Sequence, residues 1–298
     1  MPAAEIAVII LNWNGLEDTL QCLESLKAIK YPNYEIILVD NGSTDDSVAC
    51  LSSRYPNVTI IENEENLGFA EGNNVGIRHA LASNVLYLLL LNNDTIVEPH
   101  FLTELIEVAE NDPKIGIVGP KIVYDSDPEK IWSVGGRANL FLGLFLNKGN
   151  HHSARTCTGI KTVDYVSGCA LLIKAEVIEK VGLLDEDFFL YLEDADWNFR
   201  AHLHSYRSVV NCDATVLHKS GASRRTAPDS VYYYFARNSL LFLKKRGKWY
   251  HFVTFVPSFV ALNGVMFIWS LAQGKRERCR YIFAGIRDYV RGNYGGYP

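Results

Sequence analysis

Four stretches near the start of the chain, residues 5–11, 34–40, 58–62 and 85–91, are close to uninterrupted apolar sequence, each bounded by polar turn residues. Runs of that kind, without a polar residue at every second position, belong to strands buried on both faces. The segments between them supply the cover. Residues 16–28, 45–54 and 70–82 carry apolar residues at helical spacing, as in Leu16, Leu20, Leu23 and Leu26. Strand and helix alternating through short connections predict an α/β fold, a parallel sheet wrapped by helices on both sides.

The alternation continues through a helix at 99–110 and a strand at 115–118, then breaks. Residues 121–160 are rich in Gly, Asn, Ser and His and read as short strands and mobile loop, with His151 and His152 exposed there. A strand at 163–174, a helix at 193–204 and one or two strands at 207–218 follow. Residues 229–245 form a helix with a Tyr232, Tyr233 and Tyr234 face. With 298 residues, 48% of them hydrophobic and 21% charged, the chain buries a continuous core and is neither disordered nor fibrous. Six cysteines without a C-x-x-C pair argue against a zinc ribbon. No basic flank and cleavage site marks a signal peptide, so a reducing cytoplasm is the expected compartment.

Charge divides the chain unevenly. Residues 244–298 hold ten Lys or Arg against Glu277 and Asp288, although the whole chain carries −5. An acidic body excludes nucleic acid as a partner, and a basic tail beside apolar sequence suits an anionic membrane surface. Residues 252–272 are uncharged and long enough to span a bilayer, but Pro257, Asn263 and Gly264 interrupt them and basic residues flank both ends. A helix or broken pair of helices lying in the membrane interface is expected, with burial in the core as the alternative. The division is therefore a catalytic domain at 1–228 and a helical, membrane-associated region at 229–298.

In open parallel sheets ligands bind beyond the carboxyl ends of the strands, and here those ends are polar. Asn12 and Asn14 follow the first strand, Asp40 to Asp45 the second, Asn66 the third, and Asn92, Asn93 and Asp94 the fourth. No G-x-G-x-x-G or Walker lysine loop is present. Asp40 could accept the imide N–H of a pyrimidine base, or simply belong to the tight turn that Asn41 and Gly42 make, and Asp45 is expected to cap the next helix. Asp94, driven to the rim by Leu88 to Leu91, is suited to a hard cation bridging a diphosphate, and His218 at the end of a later apolar strand could complete the ligand set.

The segment FFLYLEDADWNFR, residues 188–200, places three carboxylates in the first turn of a helix. Helical spacing puts Glu193, Asp196 and Arg200 on one face, where Asp196 and Arg200 can pair, and turns Asp194 elsewhere as a candidate general base. An acidic solvated turn is one reading of Glu193, but Phe188, Phe189 and Tyr191 make a largely apolar approach that suits a buried site better.

Taken together, residues 6–14 (IAVIILNWN), 36–47 (IILVDNGSTDDS), 66–76 (NLGFAEGNNVG), 88–95 (LLLLNNDT), 188–200 and the ATVLHKSGAS around His218 resemble the family 2 glycosyltransferases. The ordered series spans about residues 5–246. The segment YYYFARNSLLFLKKRG further resembles the rhamnosyltransferase-like branch, which is membrane-associated and builds cell-surface polysaccharide. The resemblance implies a nucleotide-diphospho-sugar transferase fold of the GT-A type, a Rossmann-like mixed sheet flanked by helices. It also implies inverting transfer from a nucleotide-diphosphate sugar, dTDP-rhamnose by branch, to a glycan or polyprenyl-linked acceptor at the cytoplasmic face of the membrane, with Mg²⁺ or Mn²⁺.

Residue by residue, Asp40 matches the base-binding aspartate, Asp94 the last metal carboxylate of the D-x-D-like motif, His218 the histidine joining the metal, and Asp194 the general base. Asn92 and Asn93 depart from the acidic pattern. Gly72 and Asn74 match the loop near the nucleotide, to which Asn12, Asn14 and Asn93 add candidate contacts. Trp132, Gly168, Cys169, Glu193 and Trp197 are the candidates for the sugar or acceptor pocket. Two other readings compete: a sugar-1-phosphate nucleotidyltransferase, whose G-x-G-T-R-like loop is missing at Asn12 to Gly15, and a non-catalytic membrane-bound sugar-nucleotide-binding protein.

Overall fold

The computed structural model describes residues 5–219 and 229–297, so the polar stretch at 220–228 lies outside the described residues. The first half alternates as its hydrophobic pattern demands: β1 (Ile6–Asn12), α1 (Leu16–Leu26), β2 (Tyr34–Asp40), α2 (Ser47–Arg54), β3 (Thr59–Glu62), α3 (Gly68–Ala82), β4 (Tyr87–Asn92), β5 (Thr95–Val97) and α4 (Phe101–Asn111). The second half adds β6 (Ile115–Tyr124), β7 (Asp127–Ser133), β8 (Gly136–Asn139), β9 (Leu144–Asn147), β10 (Ile160–Val163), β11 (Ala170–Lys174), α5 (Ala175–Val181), α6 (Glu193–Leu203) and β12 (Arg207–His218). Three helices follow: α7 (Ser230–Arg246), α8 (Trp249–Ala272) and α9 (Arg276–Arg291).

The main sheet runs β10-β12-β6-β11-β4-β1-β2-β3, with β5 on β12 and β7 on β6. β3, β2, β1 and β4 are mutually parallel, and β11 inserts antiparallel between β4 and β6, so the sheet is mixed rather than all parallel. β12 runs parallel to β6 and antiparallel to β5. The segment expected as one strand at 163–174 is two, β10 and β11, because residues 164–169 leave the ladder. That break brings the start of β11 to the carboxyl end of β4, where Asn92 N–H donates to Cys169 O at 2.9 Å.

Both faces of the sheet are covered, which is why its strands carry no polar alternation. Ile6, Val8, Ile10, Leu89 and Leu91 pack with Leu23 and Leu26 of α1 and Phe101, Leu102 and Leu105 of α4. Ala7, Ile9, Leu88 and Leu90 face the other way, toward Ile77 of α3, Val177 and Ile178 of α5, and Trp197 and Ala201 of α6. Helix α3 lies close because it presents Gly72 and Gly76 to the sheet. A Cβ at 76 would sit 2.7 Å from Ile9, and one at 72 would sit 2.8 Å from Leu11 and 3.1 Å from the amide nitrogen of Asn41.

The C-terminal helices depart from expectation in the pairing of their basic residues and in the structure of residues 276–291. α8 runs unbroken through Pro257, and only 11% of its most apolar window is buried, so it is not core. Phe255 and Phe259 anchor it beside Leu243, and Ser258 Oγ donates to Leu142 O at 2.9 Å at the tip of the β8–β9 hairpin. Much of the basic charge is already paired: Lys245 with Asp185 and Asp187, Arg246 with Asp185 and Asp196, Arg278 with Asp229, Arg287 with Asp288. Residues 276–291, read only as a basic tail, form α9, whose Gly285 lets it press on the backbone of α7 at Tyr233. Cys157 and Cys212 form a disulfide, with Cα atoms 5.4 Å apart, that no cysteine spacing announced.

Candidate active site

One rim of the sheet collects the carboxyl ends of β1, β2, β4 and β12 together with the start of β11. Asn12 ends β1 and is fully buried, so its amide must find partners. Its Nδ2 donates to Asp40 Oδ2 at 2.8 Å and to Ser43 Oγ at 3.2 Å, and its Oδ1 accepts from Thr19 Oγ1 at 2.8 Å and Asn93 Nδ2 at 3.2 Å. Asn93 also donates to Thr19 Oγ1 at 2.9 Å. Asn12 and Asn93 therefore hold strand ends in register and aim no free donor outward.

Asp40 is buried, and its second oxygen accepts from Ser43 N–H at 2.8 Å. The tight turn is thus real, with Gly42 at φ +73°, and each carboxylate oxygen retains a further lone pair. Asp45 accepts from Ser47 N–H at 3.1 Å, the first residue of α2, although Asp46 stands at the cap position itself. Asn14, at φ 50°, accepts from Thr44 N–H at 2.8 Å and is exposed, as Asp45 is. Asn41, read in the sequence only as part of the tight turn, fastens the 63–68 loop. It donates to Asn66 Oδ1 at 3.0 Å and Gly68 O at 3.1 Å, and accepts from Asn63 Nδ2 at 3.0 Å.

Two expected nucleotide contacts are packing residues instead. Asn74 is buried and clamps Leu184 through both its amide atoms, donating to Leu184 O at 2.9 Å and accepting from Leu184 N–H at 3.0 Å. Gly72 is the close approach of α3 described above. Trp197 also leaves the pocket list. It is fully buried in the core between α6 and the sheet, with Nε1 donating to Gly182 O at 2.8 Å.

The register between β12 and β5 sets His218 opposite Thr95, which delivers its ring to Asp94. His218 Nε2 lies 3.1 Å from Asp94 Oδ1, both residues are largely buried, and Trp132 meets the imidazole edge-on with ring centroids 4.5 Å apart. His218 Nδ1 is buried without a partner. Burial opposes the charged imidazolium, but Cys169 and Asp94 outweigh it and raise the pKa. Two neighbouring ligand atoms of an octahedral Mg²⁺ are about 3 Å apart, so the Asp94 and His218 spacing fits one divalent ion. No third His, Cys, Asp or Glu joins them among the described residues.

Beside that pair, Cys169 lies within electrostatic reach of Asp94, His218 and Asp194 alike. Gly168 N–H donates to Asp194 Oδ2 at 3.0 Å and Ala195 N–H to Oδ1 at 2.7 Å. Burial raises the Asp194 pKa, and these two backbone donors oppose the rise. Glu193 is not a solvated turn residue. It is 5% exposed with Oε2 unpartnered, and burial first and the Asp194 charge second push its pKa well up. Asp196 turns the opposite way, accepting from Arg200 Nε at 2.7 Å and from Arg246.

Comparison with known proteins identifies the family and the fold. The family model for glycosyl transferase family 2 matches residues 7–182. The N-acetylglucosaminyl-diphospho-decaprenol L-rhamnosyltransferase of Mycobacterium tuberculosis is 28% identical over 242 residues, 75% of this chain and 79% of that protein. The low-salt glycan biosynthesis hexosyltransferase Agl10 of Haloferax volcanii is 26% identical, over 66% of this chain and 61% of its own length. Among solved structures, the mannosyltransferase PcManGT of Pyrobaculum calidifontis, in complex with GDP-Man and Mn²⁺, shares the fold at 15% identity and a TM-score of 0.58, covering 97% of this chain and 87% of that one.

Proposed function

The chain belongs to glycosyl transferase family 2 and is a glycosyltransferase, and from that premise we propose that it transfers a sugar with inversion from a nucleotide-diphosphate sugar to a polyprenyl-linked glycan in cell-surface polysaccharide synthesis. The nucleotidyltransferase and non-catalytic readings give way to this one. The observation that carries the mechanism is the convergence of Asp94, His218 and Asp194 around Cys169 on one rim of the sheet.

Asp40 and the 40–45 turn receive the base. Asp94 and His218 would hold a divalent cation, which when bound neutralises the charge growing on the leaving diphosphate. Asp194 takes the proton of the acceptor hydroxyl as that oxygen bonds to the anomeric carbon and the bond to the diphosphate breaks. Attack from the face opposite the leaving group inverts the centre. Gly168 N–H fixes the carboxylate, so the base needs no reorganisation during the step. Trp132, Gly168, Cys169 and Glu193 wall the sugar side. The name of the Mycobacterium relative supports rhamnose as the transferred sugar, for which dTDP-rhamnose is the donor we propose, and a lipid-diphosphate acceptor, and Mn²⁺ in the mannosyltransferase complex supports a divalent metal.

Exposed α8 would seat the enzyme on the cytoplasmic face of the membrane. Lys248, Lys275 and Arg276, at its two ends, have no ion pair among the described residues and suit an anionic surface. We place the catalytic unit at 1–228 with α7 bonded into it, and the membrane-associated region in α8 and α9. Screening UDP-, GDP- and dTDP-sugars for donor hydrolysis and transfer, with and without EDTA, tests the proposal. Transfer from at least one donor, lost in EDTA and in Asp94→Ala, is expected. Full activity in excess EDTA would refute the metal assignment.

A further inference from the structure

The segment that delivers the acidic helix follows a path that amino acids with side chains rarely adopt. Phe189, Tyr191 and Leu192 have φ of 59°, 68° and 73°. Such a path persists only where its surroundings over-determine it, and here each carbonyl from 188 to 192 has a donor. Phe188 O accepts from Arg237 Nη2 at 2.8 Å and Asn238 Nδ2 at 2.9 Å. Phe189 O accepts from Phe69 N–H at 2.7 Å, at the start of α3. Leu190 O and Tyr191 O both accept from Asn238 Nδ2, at 2.9 and 2.7 Å. Leu192 O accepts from Asp196 N–H at 2.9 Å, which begins α6.

Both donors on α7 are fully buried. Arg237 has no carboxylate partner among the described residues, and a buried guanidinium is costly unless its nitrogens are bonded. All three are bonded, Nε to Asn238 Oδ1 at 2.9 Å, Nη1 to Gly295 O, and Nη2 to Phe188 O. Its charge also lies over the rings of Tyr233 and Tyr234, 5.3 and 5.2 Å from their centroids. The Nε bond has a directional consequence. By occupying Asn238 Oδ1, it fixes which end of that amide faces the loop, so that the NH₂ group reaches three carbonyls.

We propose that Arg237 and Asn238 are positioning residues for Asp194. They lock the left-handed path of 189–192, and that path sets the direction in which the first turn of α6 leaves it and so the placement of the Asp194 carboxylate on Gly168 N–H. The inference rests on Asp194 being the base. Neither residue reaches the rim, so their loss acts on turnover and leaves donor binding intact.

The test uses the full chain with Asn238→Ala, and Arg237→Lys as a second variant that keeps the charge but not the fork. Hydrogen exchange of the 188–196 backbone, which needs no donor, should accelerate about tenfold while β1 to β4 stay protected. With the donor that supports turnover, kcat should fall about 10- to 100-fold at a donor KM within about twofold of wild type. The double variant Asp194→Asn/Asn238→Ala should be no slower than Asp194→Asn by more than about threefold, because a residue acting only through Asp194 has nothing left to act on. A multiplicative further loss overturns the proposal, as does unchanged exchange at 188–196 or failure of both single variants to fold. If Asp194→Asn transfers at the wild-type rate, the base assignment is what fails, and the exchange result still decides whether the clamp holds the loop.

Discussion

Replacing Asp196 with Asn should destabilise the protein without removing its chemistry. The carboxylate is fully buried, accepts from Arg200 Nε at 2.7 Å, and is shared with Arg246 of α7. An asparagine offers one acceptor oxygen and turns an NH₂ group toward the other guanidinium, leaving positive charge under-compensated in a buried place. Breaking a buried ion pair by removing one partner costs about 3–5 kcal/mol. Two features reduce that figure. Arg200 still donates to Leu183 O at 2.8 Å and to Val181 O, and Arg246 still reaches Asp185 Oδ2 at 3.2 Å from a partly exposed position. The remaining loss is about 2–3 kcal/mol, which for a chain of this size lowers Tm by about 4–12 °C. Thermal melts followed by circular dichroism at neutral pH, with transfer measured well below the transition, check it. A Tm within about 1 °C of wild type would show that the network contributes nothing. A folded but inactive Asp196→Asn beside an active Asp194→Asn would show that the wrong carboxylate has been assigned the proton.

Asp194→Asn should keep donor affinity and lose about 10²–10⁴ in kcat, read from steady-state transfer. Because burial raises the Asp194 pKa, the acid limb of the wild-type kcat profile should lie above the ordinary carboxylate range, with turnover falling as pH drops through it. The same raised pKa has the opposite sign for stability: the native state binds more protons than the unfolded chain, so this group's contribution is full at low pH and fades as pH rises from the unfolded to the folded value. A profile whose acid limb lies at an unperturbed carboxylate pKa would contradict the assignment. Deleting residues from 248 onward should release the protein from anionic liposomes in a flotation assay, and full-length protein that stays unbound would refute the role of α8.

Much of this protein was legible before any coordinates. The apolar runs of β1 to β4 and the amphipathic spacing of α1 and α3 are local patterns, and burial on both faces leaves a signature in composition alone. The polar strand ends pointed to the rim, and helical spacing separated Asp194 from Asp196 and Arg200. Tertiary structure decided the rest, because it depends on which residues meet across long stretches of chain. Asn12, Asn74, Asn93 and Trp197 are polar or aromatic residues near a site, and nothing local distinguishes a buried donor already satisfied by a distant backbone from one aimed at a ligand. Cys157 and Cys212 pair over a separation of 55 residues. The basic residues at 245 and 246 read as a membrane patch until Asp185, Asp187 and Asp196 are brought against them. The grip of Arg237 and Asn238 on residues 188–192 has the same origin: a buried side chain must find its hydrogen bonds somewhere, and only the fold determines where.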